Sequence, residues 1–285
     1  MQAKANRKGS GAIMVMLTVI TILVFGGCQK VINLNLVDSV PLLVVDGLVT
    51  DSLGPYRIKL TLSGSYFNQP VLSPVSGAVV IISDNAGTTD SLKESFLGIY
   101  LTSKLRGIQG RTYSLKILSD SKEYDGSSTM FSHVDIDSLK LKKNESQGFG
   151  FGGNGQNEIR AEIHCFFKDP NEKNFYRIKV FRNDTINTEN YRLYDDQYTN
   201  GEETDLQVGR VKVGDAVRVE LISLDKSTYE YYRTLRDVLH TNPIFGSTPA
   251  NPNTNLTNGA LGYFGACAIS SKTIIITDSL MNSLK

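Results

Sequence analysis

The side chains of this 285-residue sequence with the type and spacing for chemistry are few: three cysteines, three histidines and one dense acidic stretch. Cys28 is the most informative. It closes the run Val24-Phe25-Gly26-Gly27-Cys28, after a basic start (Lys4, Arg7, Lys8) and an apolar stretch from Ala12 to Phe25. A basic start, a short apolar run and small residues before a cleavage point make a secretory signal peptide, here residues 1–27. Gly26 and Gly27 give a peptidase access to the backbone, and the Cys28 thiol can then carry a diacylglycerol. The apolar stretch falls short of the ~20 residues a spanning helix needs. The expectation is a lipoprotein whose first partner is membrane lipid, held through acylated Cys28. Each buried methylene of the acyl chains contributes about 0.8 kcal/mol to that anchoring.

The remaining groups offer less. An oxidising envelope compartment permits a disulfide between Cys165 and Cys267. Two thiols do not make a disulfide framework, and two small buried apolar side chains are the simpler reading; the pairing stays open. His133, His164 and His240 show no His-Glu-x-x-His motif and no metal-ligand spacing. His164 and Cys165 are adjacent, but neighbours on a strand point to opposite faces, so they form no dyad. No Gly-x-Ser-x-Gly elbow occurs. Asp195, Asp196, Glu202 and Glu203, followed by Asp205, gather around Asn200-Gly201 and are weak calcium candidates, because hard cations want several oxygens on a tight loop. The spacing does not match the calcium-loop motif, and a solvated hairpin tip explains the cluster more simply. Residues 144–157 hold five glycines with Phe149 and Phe151. They lack the Gly-Lys-Ser/Thr ending of a phosphate loop and read as a flexible hairpin tip. No catalytic residue, cofactor or metal site is expected, and the chain reads as non-enzymatic.

These groups must be positioned by strands. Tyr56, Ile58, Leu60 and Leu62 alternate with Arg57, Lys59 and Thr61, the period of a half-buried strand. Ala78 to Ile82, Gly98 to Leu101 and Thr112 to Ile117 add further short strands between turn signals, a spacing that suggests an antiparallel sandwich over 40–130. After the stretch Asp125-Gly126-Ser127-Ser128 the pattern resumes with Ile159, Ala161, Ile163 and Cys165, then Tyr176, Ile178 and Val180, then Val211 to Leu221. Lys272 to Thr277 closes it. Fold class is therefore all-β: an N-terminal immunoglobulin-like or prealbumin-like sandwich, then a second β domain over 131–285. One helix is expected near 225–240, with Tyr229, Tyr232 and Leu235 on one face, Asp225 or Ser227 as its cap and Arg233–Asp237 as an i,i+4 pair. The segment Thr241 to Gly259, rich in Asn, Pro, Thr and Gly, has no periodicity, and Pro243 to Tyr263 is a candidate partner contact with Phe245, Pro249, Asn251 and Pro252 as its leading residues. Three of the 30 basic residues precede Cys28, so the mature chain carries 27 against 29 acidic residues, a net of about −2. Without a basic patch, nucleic-acid binding has no support.

Several stretches together resemble one family. They are Cys28 to Leu36, Val44-Val45-Asp46-Gly47, Gly54-Pro55-Tyr56, Ser76-Gly77-Ala78, Gly98-Ile99-Tyr100 and Gly110-Arg111-Thr112-Tyr113. Ser223 to Thr234, Pro249-Ala250-Asn251-Pro252 and Gly259 to Phe264 complete the set. In order and spacing they are similar to the Bacteroidota outer-membrane lipoprotein family known as domain of unknown function 4249 (DUF4249). The resemblance implies an outer-membrane, lipid-anchored protein of the cell envelope, often encoded beside a TonB-dependent transporter, with no assigned chemistry; the leading expectation is an accessory binding subunit of such a transport system. Related chains often carry Asp where Asn33 and Asn35 stand here, which leaves the periplasmic and surface faces both open. A structural or adhesive envelope lipoprotein is the alternative, and a hydrolase with a hidden carboxylate pair is a third.

Overall fold

A computed structural model describes residues 40–64, 72–143, 161–186, 192–197, 199–240 and 251–284. The expected signal peptide over 1–27, Cys28, the glycine-rich stretch 144–157, Phe245 and Pro249 lie outside the described residues.

The chain is all-β. The first strands are β1 (Leu43–Thr50), β2 (Arg57–Leu62), β3 (Val79–Asp84), β4 (Thr89–Ser91), β5 (Lys93–Phe96) and β6 (Ile99–Leu101). They are followed by β7 (Thr112–Ser119), β8 (Lys122–Thr129), β9 (Ser138–Lys143), β10 (Ala161–Lys168), β11 (Phe175–Arg182) and β12 (Thr185–Ile186). The last elements are β13 (Arg192–Asp195), β14 (Glu203–Val211), β15 (Ala216–Leu224), α1 (Lys226–Leu239), β16 (Leu261–Ile275) and α2 (Asp278–Asn282).

One strand joins the two halves. Residues Leu261–Cys267 of β16 run parallel to β1, and Ala268–Ile275 run antiparallel to β15. The result is a single sheet in the order β12-β11-β15-β16-β1-β2-β6-β5, with β13 also on β11. A four-stranded sheet, β4-β3-β7-β8, packs on the β1 half, and a three-stranded sheet, β14-β10-β9, packs on the β15 half. Period-two alternation along β16 serves both sandwiches. Phe264, Ala266 and Ala268 enter the first core, Ile274 packs on the second, and Tyr263 and Cys267 point to the opposite face, under α1.

Near the expected boundary at 131–140 the first core gives way to the second, between Met130 and Val134. Residues 40–130 supply most of the first core, but Leu256, Ala260 and Phe264 complete it. Sequence pattern missed this because Gly262 and Gly265 interrupt the apolar alternation. The glycine at 262 is required. With φ of +86°, an added Cβ there would sit 1.9 Å from the Val45 carbonyl oxygen. Only glycine lets the parallel pair close at that point.

Candidate functional site

The helix forms where the sequence places it. Asp225 Oδ1 accepts the Thr228 N–H at 2.8 Å, which makes Asp225 the cap. Its Oδ2 accepts the Ser227 hydroxyl at 3.1 Å and the Thr129 N–H at 3.3 Å, which ties the helix start to the end of β8. Arg233 bridges Glu230 at 2.7 Å and Asp237 at 3.2 Å. The tyrosine face is packing. Tyr231 stacks on Tyr263 with ring centroids 4.5 Å apart, and the Tyr232 hydroxyl lies 2.6 Å from that of Tyr263. The Arg177 guanidinium covers the Tyr232 ring at 4.2 Å. Burial pushes the Tyr232 phenol up to about 12 and that of Tyr263 well above its ordinary value.

The described part of the partner-contact segment, from Asn251 onward, is a strap. Asn253 donates its N–H to Thr234 Oγ1 of α1 at 2.9 Å. Asn255 then caps β16: its amide donates to the carbonyls of Phe264 and Ser127, and its Oδ1 accepts the Phe264 N–H. Thr257 exchanges two hydrogen bonds with Asp125, and Leu256 is buried in the first core. Asn251 is exposed and Pro252 half-buried at the outer end of the strap. Strap, helix start and β8 border an open cleft of about 620 Å³, lined by Thr129, Phe131, Lys226, Glu230, Asn253 and Thr254. Phe131 leaves half its surface exposed there. On the other flank of α1, a cleft of about 500 Å³ is lined by Lys173, Phe175, Asp195, Tyr229 and Arg233. Lys226 and Glu230, one helical turn apart, wall both clefts. The sequence held no signal for Phe131, which follows Met130 in a stretch without apolar periodicity.

The other expected groups disperse. Asp196 is buried and accepts the Asn174 N–H at 2.6 Å, while Glu202 and Glu203 are exposed. Among the described residues no three His, Cys, Asp or Glu side chains converge as a metal site would need. Cys165 lies in the second core and Cys267 under α1, and both are free thiols. Burial raises each to about 12, so they are inert as nucleophiles. His164 faces away from Cys165, with Nδ1 2.6 Å from Asp205 Oδ1. His133 bridges Gln109 at 2.6 Å and Asp135 at 3.2 Å.

A third groove, also about 620 Å³, went unseen because its arginines come from three separate strands: Arg182, Arg192 and Arg210. Arg192 donates to the Gln207 carbonyl at 3.1 Å, and Arg182 donates to that of Arg210. Both guanidinium groups thus cap outward carbonyls of β14, the edge strand of its sheet among the described residues. Such capping blunts an edge that would otherwise invite another strand.

A family model described as "Domain of unknown function (DUF4249)" matches residues 29–273. No curated protein matches the sequence. Among solved structures, the Yersinia pseudotuberculosis adhesin InvE is similar at 15% identity, over 64% of this chain and 55% of that one, with a TM-score of 0.20. The chain thus spans little more than half the length of that adhesin.

Proposed function

The chain belongs to the DUF4249 family, and from that membership and the helix–strap face we propose a non-enzymatic, lipid-anchored binding subunit of the outer membrane. Its partner is a protein of the envelope, and a TonB-dependent transporter is the partner that the family resemblance suggests. The observation that carries this reading is Phe131, half exposed in a cleft whose walls are tied together by the Asp225–Thr129 and Asn253–Thr234 hydrogen bonds. Aromatic anchors in pre-set surroundings dominate protein interfaces, because little conformational entropy is lost on docking. Lys226 and Glu230 give the rim both charge signs, which favours a polar, oriented contact over non-specific adhesion. In this reading the face serves recognition rather than turnover.

The test is recovery of partners from detergent-solubilised outer membranes with the intact lipoprotein, wild type against a Phe131→Ser/Lys226→Glu variant of unchanged melting temperature. A transporter recovered with wild type and lost with the variant is the expected result. Equal recovery by both would move the binding face elsewhere, and recovery of no transporter would remove that partner. Replacing the strap by a flexible linker is not an equivalent test, since it deletes Leu256 from the core and the Asn255 cap from β16.

A further inference from the structure

One end of the first sandwich carries a cluster of exposed apolar side chains, and it is the end at which the chain enters. Val40, the first described residue, is 76% exposed, and Leu42 is 40% exposed. Leu43 opposes Leu62, so β2 finishes at this end, and Leu62 then bonds Ser73, beside the exposed Leu72. Pro74, one residue on, packs against Gly98 at the tip of the β5–β6 hairpin. That tip presents Phe96 and Leu97, 75% and 61% exposed. The facing sheet adds Val79 and Leu118, a cross-strand pair that is also exposed. Glu123, next along from that pair's turn, accepts a bond from Asn258 just before β16 begins opposite Val44, which sets both sheets' ends level.

The hairpin is held in this posture. The Glu94 carboxylate accepts hydrogen bonds from Ser76 Oγ at 2.9 Å, Gly77 N at 3.0 Å and Gly98 N at 2.9 Å. These bonds fix β5 against the start of β3 and leave Phe96 and Leu97 facing outward rather than folded back on the sheet.

We propose that this end rests on the bilayer, with Phe96 and Leu97 seated in the lipid interface. The inference depends on the anchor at Cys28. Twelve peptide steps separate Cys28 from Val40, so the fully extended tether reaches at most ~40 Å. An acylated Cys28 therefore keeps the apolar end at high effective concentration beside the membrane. Burial of an aromatic and an aliphatic side chain at the interface adds to what the acyl chains supply. The start of α1, which packs on Gly265, and the second sandwich follow along β16 away from this end. The Phe131 cleft is then held clear of the lipid and open to a partner.

The chain contains no tryptophan, so one introduced residue reports alone. The mature chain, residues 28–285, is coupled through the Cys28 thiol to a maleimide phospholipid in phosphatidylcholine vesicles. Cys165 and Cys267 are buried and do not compete. In the Phe96→Trp and Leu97→Trp variants, emission shifts to shorter wavelength, and brominated acyl chains remove about half of it, as for a group seated a few ångströms below the headgroups. In Phe131→Trp neither change occurs. Emission from Phe96→Trp and Leu97→Trp that is the same on vesicles as in buffer would overturn the proposal. A blue shift that depends on protein concentration without lipid would overturn it in favour of a second copy. The mass of the N-terminal peptide from native membranes tests acylation separately: an unmodified Cys28 sinks the anchor, whatever the vesicle result.

Discussion

Asp51 Oδ1 accepts the backbone N–H of Ile269 at 3.0 Å, across 218 positions of sequence. The bond sits where β16 leaves β1 and takes up β15 as its partner. Asp51 Oδ2 accepts the Gln109 amide at 2.9 Å, and Gln109 in turn contacts His133 at 2.6 Å. One carboxylate therefore joins the end of the first strand, the loop before β7, the connection between sandwiches and the shared strand. Replacing it by Ala strands the Ile269 donor at a half-buried position. Asp51→Ala is expected to lower unfolding free energy by about 1–3 kcal/mol in a urea titration. An unchanged midpoint would show that the junction is held by β16 alone.

The shared strand also decides what can fold by itself. Residues 40–130 lack Phe264, Ala266 and Ala268, which fill the first core, and lack the parallel partner of β1. Expressed alone, that fragment is expected to give a collapsed, poorly dispersed amide spectrum. A dispersed spectrum would mean that β1 is stable as an edge and that β16 adds little.

Gly262 is where β16 approaches β1 too closely for any side chain. Gly262→Ala forces a Cβ into the Val45 carbonyl and a residue with φ of +86° into a left-handed conformation. The cost is expected to exceed ~2 kcal/mol, combining backbone strain and displacement of the parallel pair. Gly259→Ala is the control. Its φ of +76° is similar, but no atom lies within 4 Å of the added Cβ, so only the conformational part of the loss remains. Equal losses for the two variants, read by thermal melting, would mean that the close approach relaxes freely.

Much of this architecture was legible locally. β2, β7, β10 and β11 announce themselves by alternation, and α1 by a 3.6-residue stripe with an Asp cap and a Pro beyond it. Residues 261–271 were not legible as strand, because a strand buried on both faces loses its alternation and two glycines break the run. Asn255 looked like loop composition but is a cap, since two of its hydrogen bonds go to Phe264, nine residues on, and the third to Ser127, 128 positions back. The Phe131 cleft and the arginine groove depend on side chains from separate elements, and no local pattern encodes such a meeting.

Two buried aspartates give the chain opposing responses to pH. Asp90 takes hydrogen bonds on Oδ2 from the backbone N–H groups of Ser103, Lys104 and Leu105 at 2.7–2.8 Å, and on Oδ1 from the Ser103 hydroxyl. Burial alone would raise its pKa, but these four donors hold it below the ordinary carboxylate value. Its stabilisation is therefore present above about pH 4 and lost as pH falls through the lowered value. Asp169 behaves in the reverse way. Burial, with the charge of Asp196 nearby, raises its pKa, although the Tyr176 hydroxyl donates to its Oδ1 at 2.5 Å. The stabilisation from its protonated form is complete below about pH 4 and lost as pH rises through the raised value. Asp90→Asn is expected to cost about 1–2 kcal/mol at pH 7 and to flatten the loss of stability on acidification. Asp169→Asn keeps an acceptor for Tyr176, removes a buried charge and is expected to gain about 1 kcal/mol at pH 7, with no gain at pH 3. Urea titrations at the two pH values separate them. A loss at pH 7 from Asp169→Asn would show that the ionised carboxylate is held by the structure rather than tolerated by it.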